Sequence, residues 1–122
     1  MTSILVSIKK LLGLTETYTP FDADIIMHIN TVFMTLHQLG VGPSDGFKIE
    51  DDTLEWDAYL SDSILLEAAK SYVYMKVKLM FDPPSSSFVI DSYKNLCSEL
   101  EWRLTEQVML TAPPVIGEII NE

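Results

Sequence analysis

Cysteine, glycine motifs and long apolar runs are all scarce in this sequence. Cys97 is the single cysteine among 122 residues, which excludes an internal disulfide and is typical of a protein that folds in a reducing compartment. No apolar run reaches the roughly 18 residues that a membrane-spanning helix needs. The 5 glycines form no phosphate-binding pattern. These absences leave a soluble globular domain as the expected class.

Basic residues are scarce as well. The chain has 8 lysines and arginines against 18 aspartates and glutamates, a formal net charge of −10. Proteins that hold nucleic acid neutralise phosphates with clustered Lys and Arg, and the bases of this chain are scattered. The composition therefore argues against a protein that grips DNA or RNA. A hydrophobic fraction of 48% predicts one folded domain with its own core.

Apolar periodicity predicts two helices in the first third of the chain. The first covers residues 3–12, with Ser3 as its N-cap. Its lysines follow the apolar stretch rather than precede it, so we expect an amphipathic helix and not a secretory signal. The second has Thr19 as N-cap and Pro20 in its first helical position, and it ends at Gly40.

Two further helices are predicted over residues 63–81 and 87–107, separated by a proline break. The first of them is apolar around most of its circumference, which indicates either the centre of the core or partial burial by a second molecule. Trp102 falls opposite the core stripe of the last helix. It either contacts another chain or packs against residues 41–62. The predicted core stripe consists of Val89, Tyr93, Leu96, Leu100 and Leu104.

The remaining segments are a loop and a tail. Residues 41–62 contain turn residues and acidic side chains, and they predict a short β-hairpin or an irregular loop. Residues 108–122 are apolar and β-branched after a Pro-Pro pair, so they predict an extended tail that pairs with a partner, with a frayed terminus as the alternative. The expected fold is all-α: a bundle of about four helices over residues 1–107, followed by this tail.

No pattern in the sequence indicates catalysis. His28 and His37 are too far apart on one helix to share a metal ion, and Asp24 with His28 makes at most a surface pair. The acidic residues of the 41–62 loop do not follow the calcium-loop pattern. Cys97 beside a core stripe is typical of a small buried hydrophobe. We therefore expect no catalytic, cofactor or metal site, and no enzyme.

Three stretches of the sequence resemble a known family. They read LLGLTETYTPFDADIIMHINTVFMTLHQLGVGP, then WDAYL, then YVYMKVKLMFDPPSSSFVIDSYKNLCSELEWRL. Across residues 4–107 the chain resembles the head–tail connector, or adaptor, proteins of long-tailed double-stranded DNA bacteriophages. The parts of this resemblance that are most specific to the family are Phe21–Asp24 with His28-Ile29-Asn30, Leu39–Pro43, and Phe81–Phe88 followed by Glu99–Leu104.

The resemblance implies a structural virion protein of the phage neck, assembled in the host cytoplasm. Members of that family form a ring, commonly of twelve copies, beneath the portal protein. The ring continues the DNA channel and carries a stopper or tail-completion protein. DNA passes through without specific binding, no membrane is involved, and no catalysis is attributed to the role.

The resemblance and the residue pattern together suggest three surfaces. A closed ring needs two different patches on each subunit, which we place on the third helix with the 82–88 turn and on the Trp102 face. The predicted subunit-interface residues are Tyr74, Lys78, Phe81, Pro83, Pro84, Phe88 and Trp102. The predicted portal-binding residues of the tail are Pro113, Pro114, Val115, Ile116, Ile119 and Ile120. The acidic residues predicted to face the channel or the next neck protein are Asp45, Glu50, Asp51, Asp52 and Glu55.

The acidity also supports a different interpretation. A small acidic helical protein suits a monomeric inhibitor that mimics DNA by displaying carboxylates. Such a mimic needs its carboxylates in one ordered band, whereas here they spread over residues 15–24, residues 45–62 and the fourth helix. The mass in solution, alone and with a portal protein, separates these two functions.

Overall fold

A computed structural model of the chain describes residues 3–111, which fold into four α-helices joined by loops. Within this range no β-strand forms, so the all-α class is confirmed and the hairpin alternative for residues 41–62 is wrong. That segment is irregular, with one isolated bridge from Glu55 to Ser3. The elements are α1 (Ile4–Leu11), α2 (Asp22–Gln38), a 3-10 turn (Trp56–Ala58), α3 (Ser63–Phe81) and α4 (Ser87–Thr111).

The ends of α1 and α2 follow from local chemistry. Ser3 caps α1, because its Oγ accepts the Val6 N–H at 3.2 Å, as predicted. Both helices end on a glycine with positive φ, Gly13 at 86° and Gly40 at 88°. After Gly40 the Val41 N–H donates to a carbonyl of the last helical turn at 2.9 Å, a closing bond that needs the left-handed conformation glycine adopts without strain.

The start of α2 differs from the prediction. Thr19 is not its N-cap and Pro20 lies outside it, since the helix begins at Asp22 after Phe21 and has no side-chain cap. The Thr19 carbonyl accepts the Asp22 N–H at 3.1 Å, so the chain makes a turn first. This turn brings Asp22 to Lys9 of α1, whose Nζ lies 2.9 Å from the Asp22 Oδ1. A contact distant in sequence overrides the local capping signal.

The third helix is the centre of the bundle, and its predicted range of residues 63–81 is confirmed. It packs against α2 and against α4, and it contributes Ala69, Tyr72, Val73 and Val77 to the fully buried core. Its apolar circumference is therefore satisfied largely within one chain. A strip that includes Ser71 faces solvent.

The fourth helix is longer than predicted, and its buried stripe agrees with the predicted one only in part. It continues to Thr111, past the predicted end at residue 107. Of the predicted stripe, Leu104 is buried, Tyr93 and Leu100 are half-buried, and Val89 and Leu96 are exposed, whereas Cys97 beside the stripe is buried. The core side of the helix also has a polar contact, in which the buried Tyr72 hydroxyl donates to Glu101 at 2.6 Å, and apolar periodicity alone does not anticipate a carboxylate there.

The loop between α2 and α3 is packed onto the helices rather than projecting from them. Trp56 and Ile49 are buried, and the Trp56 Nε1 donates to Ser7 Oγ at 2.8 Å. The Ile4 N–H donates to the Leu54 carbonyl at 2.9 Å. The acidic segment is thereby held against α1 and α2. Within residues 3–111, no helix combines the length and apolarity needed to cross a bilayer.

Candidate assembly surfaces

The described part of the chain presents apolar and acidic surfaces to solvent. Within residues 3–111, no group of three or more His, Cys, Asp or Glu side chains is arranged to hold a metal ion. Cys97 is buried, and burial raises the pKa of its thiol, which disfavours the reactive thiolate. His28 packs edge-on to Phe81, with ring centroids 6.4 Å apart.

Large apolar side chains line the outer face of α4. Phe88 is 78% exposed, Trp102 65% and Met109 70%. They are spaced by multiples of seven residues, about two helical turns each, so they lie along one face. This face is opposite the one that carries the buried Cys97 and Leu104. Exposed apolar side chains on one face of a helix are a common feature of surfaces that contact another molecule.

A groove between α3 and α4 adjoins Trp102. It encloses about 300 Å³ at the start of α3 and the end of α4. A second hollow of about 480 Å³ lies between the end of α1, α3 and α4. The side chains that line the first groove are Ile64, Leu65, Ala68, Trp102, Arg103, Glu106, Gln107 and Leu110. We refer to it as the Trp102 groove.

A second exposed apolar surface lies on α2. Met27 and Met34, also seven residues apart, are exposed. Beside Met34 is a pocket of about 260 Å³ between α2 and residues 46–48. Its walls include the rings of Phe33 and Phe47, whose centroids are 5.1 Å apart. Asn30, His37 and Lys48 complete its lining, and we refer to it as the α2 pocket.

The predicted interface residues are divided between the two ends of the α3–α4 pair. Tyr74 is half-buried, and burial and the neighbouring Tyr93 raise the pKa of its hydroxyl. Lys78 pairs with Asp82 at 3.0 Å, and Phe81 packs on Phe21 with centroids 5.4 Å apart. These contacts lie within one chain, so these three side chains are already partly satisfied.

The other predicted interface residues are more available. Pro83 and Phe88 are exposed and Pro84 is half-buried. Trp102 lies about 21 Å along α4 from Phe88. The two side chains are therefore too far apart to contact the same site on a neighbouring molecule. The interface assignment remains a prediction, and among these residues Trp102 and Phe88 have the most surface to offer.

The acidic loop displays its carboxylates to solvent. Asp45, Glu50, Asp51 and Asp52 are exposed, and Glu55 is half-buried. The hydroxyl and the N–H of Thr53 donate to Asp51 at 2.6 and 3.0 Å, and these bonds lower the pKa of that carboxyl. The two bonds from Thr53 favour the charged form of this carboxylate at the surface.

Asn30 holds this loop against α2. The sequence places it in the family-like motif His28-Ile29-Asn30 but does not indicate this role. Its side-chain amide donates to the Ile49 carbonyl at 2.9 Å and accepts the Ile49 N–H at 2.8 Å. An asparagine next to the core residue Ile29 inside a predicted helix was the available signal. Its partner, 19 positions along the chain, is not apparent from sequence alone.

We expect Asn30→Ala to lower the free energy of unfolding by about 2 kcal/mol, because two buried backbone groups of Ile49 lose their partner. Hydrogen exchange of the Ile49 amide should accelerate in parallel. Asn95→Ala, at an exposed position of α4, is the matched control and should change stability by less than about 0.5 kcal/mol. Unchanged protection of the Ile49 amide in Asn30→Ala would contradict the role assigned to this side chain.

The predicted portal-binding residues lie outside the described residues 3–111. They are Pro113, Pro114, Val115, Ile116, Ile119 and Ile120. Their assignment, and the division of the chain at residues 107 and 108, stay predictions. The helix that precedes them extends to Thr111.

Comparison with known proteins gives one match. The model of a family described as phage connector protein matches residues 4–109, which include all four helices except the last two residues of α4. No curated protein matches the chain, and neither does any solved structure.

Proposed function

Because this chain belongs to the phage connector protein family, whose model spans residues 4–109, we propose that it forms a ring beneath the portal of a tailed phage and joins the head to the tail. The family match is the observation that carries this proposal. The role is structural, in the neck of the virion, and a ring of twelve copies is the expected assembly. The ring continues the DNA channel and presents a platform for a stopper or tail-completion protein.

The distribution of apolar surface supports a ring. A closed ring requires a heterologous interface, in which each subunit offers two different patches. The Trp102 groove lies between α3 and α4, whereas the α2 pocket lies beyond α2. Because α3 packs between α2 and α4, the two patches belong to different sides of the bundle.

The acidity supports passage of DNA rather than binding of DNA. Each copy carries a net charge of −10, and a ring multiplies it. Carboxylates around a channel repel phosphates, so the genome slides instead of adhering. We place the exposed carboxylates of the 41–62 loop at the channel or at the surface toward the next neck protein. Acidic side chains found only on the outer wall of the ring would contradict this placement.

The C-terminal residues complete the proposal. An apolar, β-branched segment that follows a helix is suited to pairing with an edge of another protein, because backbone hydrogen bonds then accompany apolar contact. We propose that residues 113–120 engage the portal protein. Deletion of residues 112–122 should abolish co-assembly with the portal while the helical fold of residues 3–111 persists by circular dichroism.

The experiment that tests the proposed function is electron microscopy of the full chain mixed with the portal protein of the same phage. We expect a ring of about twelve copies stacked coaxially on the portal, with native mass spectrometry giving the copy number. A chain that remains monomeric with the portal would overturn the proposal. If that monomer instead competed with DNA for a DNA-binding protein, the DNA-mimic interpretation would replace it.

A further inference from the structure

We propose that Trp102 of one subunit inserts into the α2 pocket of the next subunit, so that this side chain and pocket form the repeating contact of the ring. The inference rests on the proposed function, since it names the occupant of the pocket as a second copy of this chain. It also defines the interface more narrowly than the family match does.

Trp102 has the properties of an interface anchor. It is 65% exposed, and it is a residue type enriched among the side chains that dominate binding energy. It lies at the edge of the Trp102 groove, beside the exposed Ile64 and Leu110. A large aromatic surrounded by exposed apolar side chains loses water over a broad area when a partner covers it.

The α2 pocket matches this anchor in size and chemistry. It encloses about 260 Å³, enough for an aromatic side chain. Two aromatic rings, those of Phe33 and Phe47, stand edge to face in its wall, and an entering indole can extend that packing. Met34, which is 63% exposed, lies at the mouth as a flexible side chain able to cover the ring.

One pair of opposite charges, Glu106 and Lys48, lies beside the two surfaces. Glu106 is exposed one turn beyond Trp102 on α4, and within the described part of the chain it has no ion-pair partner. Lys48 is at the rim of the α2 pocket with its side chain 72% exposed, and its nearest carboxylate, on Glu50, is 3.8 Å away. A neighbour seated by Trp102 therefore brings Glu106 toward Lys48.

The neighbouring charges on α4 do not compete for this contact. Arg103 pairs with Glu99 of the same helix at 2.9 Å, so it neutralises that carboxylate locally and leaves Glu106 as the charge offered outward. The pairing of Glu106 with Lys48 mainly selects the register of the two subunits, because exposed ion pairs add little affinity.

Because the two surfaces lie on different sides of the bundle, the contact between Trp102 and the α2 pocket can repeat from one subunit to the next. Trp102 is on α4 and the pocket is on α2, with α3 packed between these helices. Each copy thus provides a tryptophan to one neighbour and a pocket to the other, which is a head-to-tail arrangement. A contact in which Trp102 met Trp102 of a second copy would instead stop at a dimer.

Trp102→Ala is the first test, with ring assembly on the portal followed by native mass spectrometry and by the concentration at which rings form. We expect about 30-fold weaker subunit association, as for loss of an interface hot spot. Circular dichroism should show an unchanged fold, because the side chain is exposed. Unaltered assembly would overturn this inference alone, while a wild-type chain that forms no ring would overturn the proposed function.

Charge reversal supplies the second test. Glu106→Lys and Lys48→Glu should each weaken assembly, and the double variant should recover most of the loss. Asp91→Lys makes the same change of charge at another exposed position of α4 and should leave assembly unchanged. Equal effects of Asp91→Lys and Glu106→Lys, or no recovery in the double variant, would count against the pairing.

Cross-linking reports the contact directly. In a Cys97→Ala background, one batch of chain carries Glu106→Cys and another Lys48→Cys, and the mixed rings are treated with a short bifunctional maleimide. We expect cross-links between the two kinds of chain and none within rings made of either kind alone. Rings that cross-link only between like chains would overturn the inference and leave the ring itself in place.

Discussion

Replacing Trp56 by alanine should lower the free energy of unfolding by about 4 kcal/mol, the magnitude expected for removal of a large buried aromatic. The side chain is 2% exposed and packs edge-on to Phe33 with ring centroids 6.3 Å apart. Its Nε1 donates to Ser7 of α1, and the Lys70 ammonium of α3 lies 5.9 Å from its ring centroid. One indole thus joins the loop to three helices, and alanine leaves a cavity where they meet.

Urea unfolding followed by circular dichroism at 222 nm measures this loss. The second tryptophan of the chain provides the control, since Trp102→Ala removes an exposed side chain and should change stability by less than about 0.5 kcal/mol. The stability loss for Trp56→Phe should lie between those of Trp56→Ala and Trp102→Ala, because phenylalanine retains a ring but not the N–H donor. A stability loss for Trp56→Ala no larger than that of Trp102→Ala would show that the loop is not anchored as described.

Replacing Asp22 by asparagine should lower the free energy of unfolding by about 3 kcal/mol. Lys9 is buried with its side chain 2% exposed, and its Nζ lies 2.9 Å from Asp22 and 3.0 Å from the Glu16 carbonyl. Asparagine removes the countercharge, and a buried ammonium then retains only neutral partners. Breaking one half of a buried pair is strongly destabilising for this reason.

Asp24→Asn is the matched control for this variant. Asp24 also lies in the first turn of α2 but is exposed, so it loses only a favourable interaction with the helix dipole, about 0.5 kcal/mol. Lys9→Met should be destabilising as well, because it leaves the Asp22 carboxylate, whose side chain is only 27% exposed, without its countercharge. If the two variants Asp22→Asn and Asp24→Asn lost the same free energy of unfolding, the buried ion pair would add no stability beyond the interaction with the helix dipole.

Local signals were sufficient where the chain caps its own helices. The bounds of α3 agree with the prediction because Asp62 accepts the N–H groups of Ile64 and Leu65 at 3.0 Å each, and because Pro83 follows the end of the helix. The exposure of Trp102 also follows from helical periodicity, since it falls opposite the buried positions of α4. Both features depend on residues close together in sequence.

Contacts between distant residues explain the differences. At the start of α2 Asp22 pairs with Lys9, and on the core side of α4 Tyr72 meets Glu101. The attachment of the acidic loop depends on Asn30 and Ile49. In each case a polar side chain meets its partner only once the bundle has formed, so these contacts cannot be predicted from apolar periodicity. The α2 pocket, which combines a helix face with loop residues, was missed for the same reason.

The attachment of the acidic loop also bears on the entropy of assembly. Loops that become ordered on binding lose conformational freedom, at roughly 1–2 kcal/mol for each residue whose backbone becomes fixed. Here the loop is already held at Ile49, Leu54 and Trp56 in the single chain. Its carboxylates therefore keep their spacing before any partner arrives. A partner that binds this preorganised loop therefore causes little further loss of chain entropy, which favours rapid association.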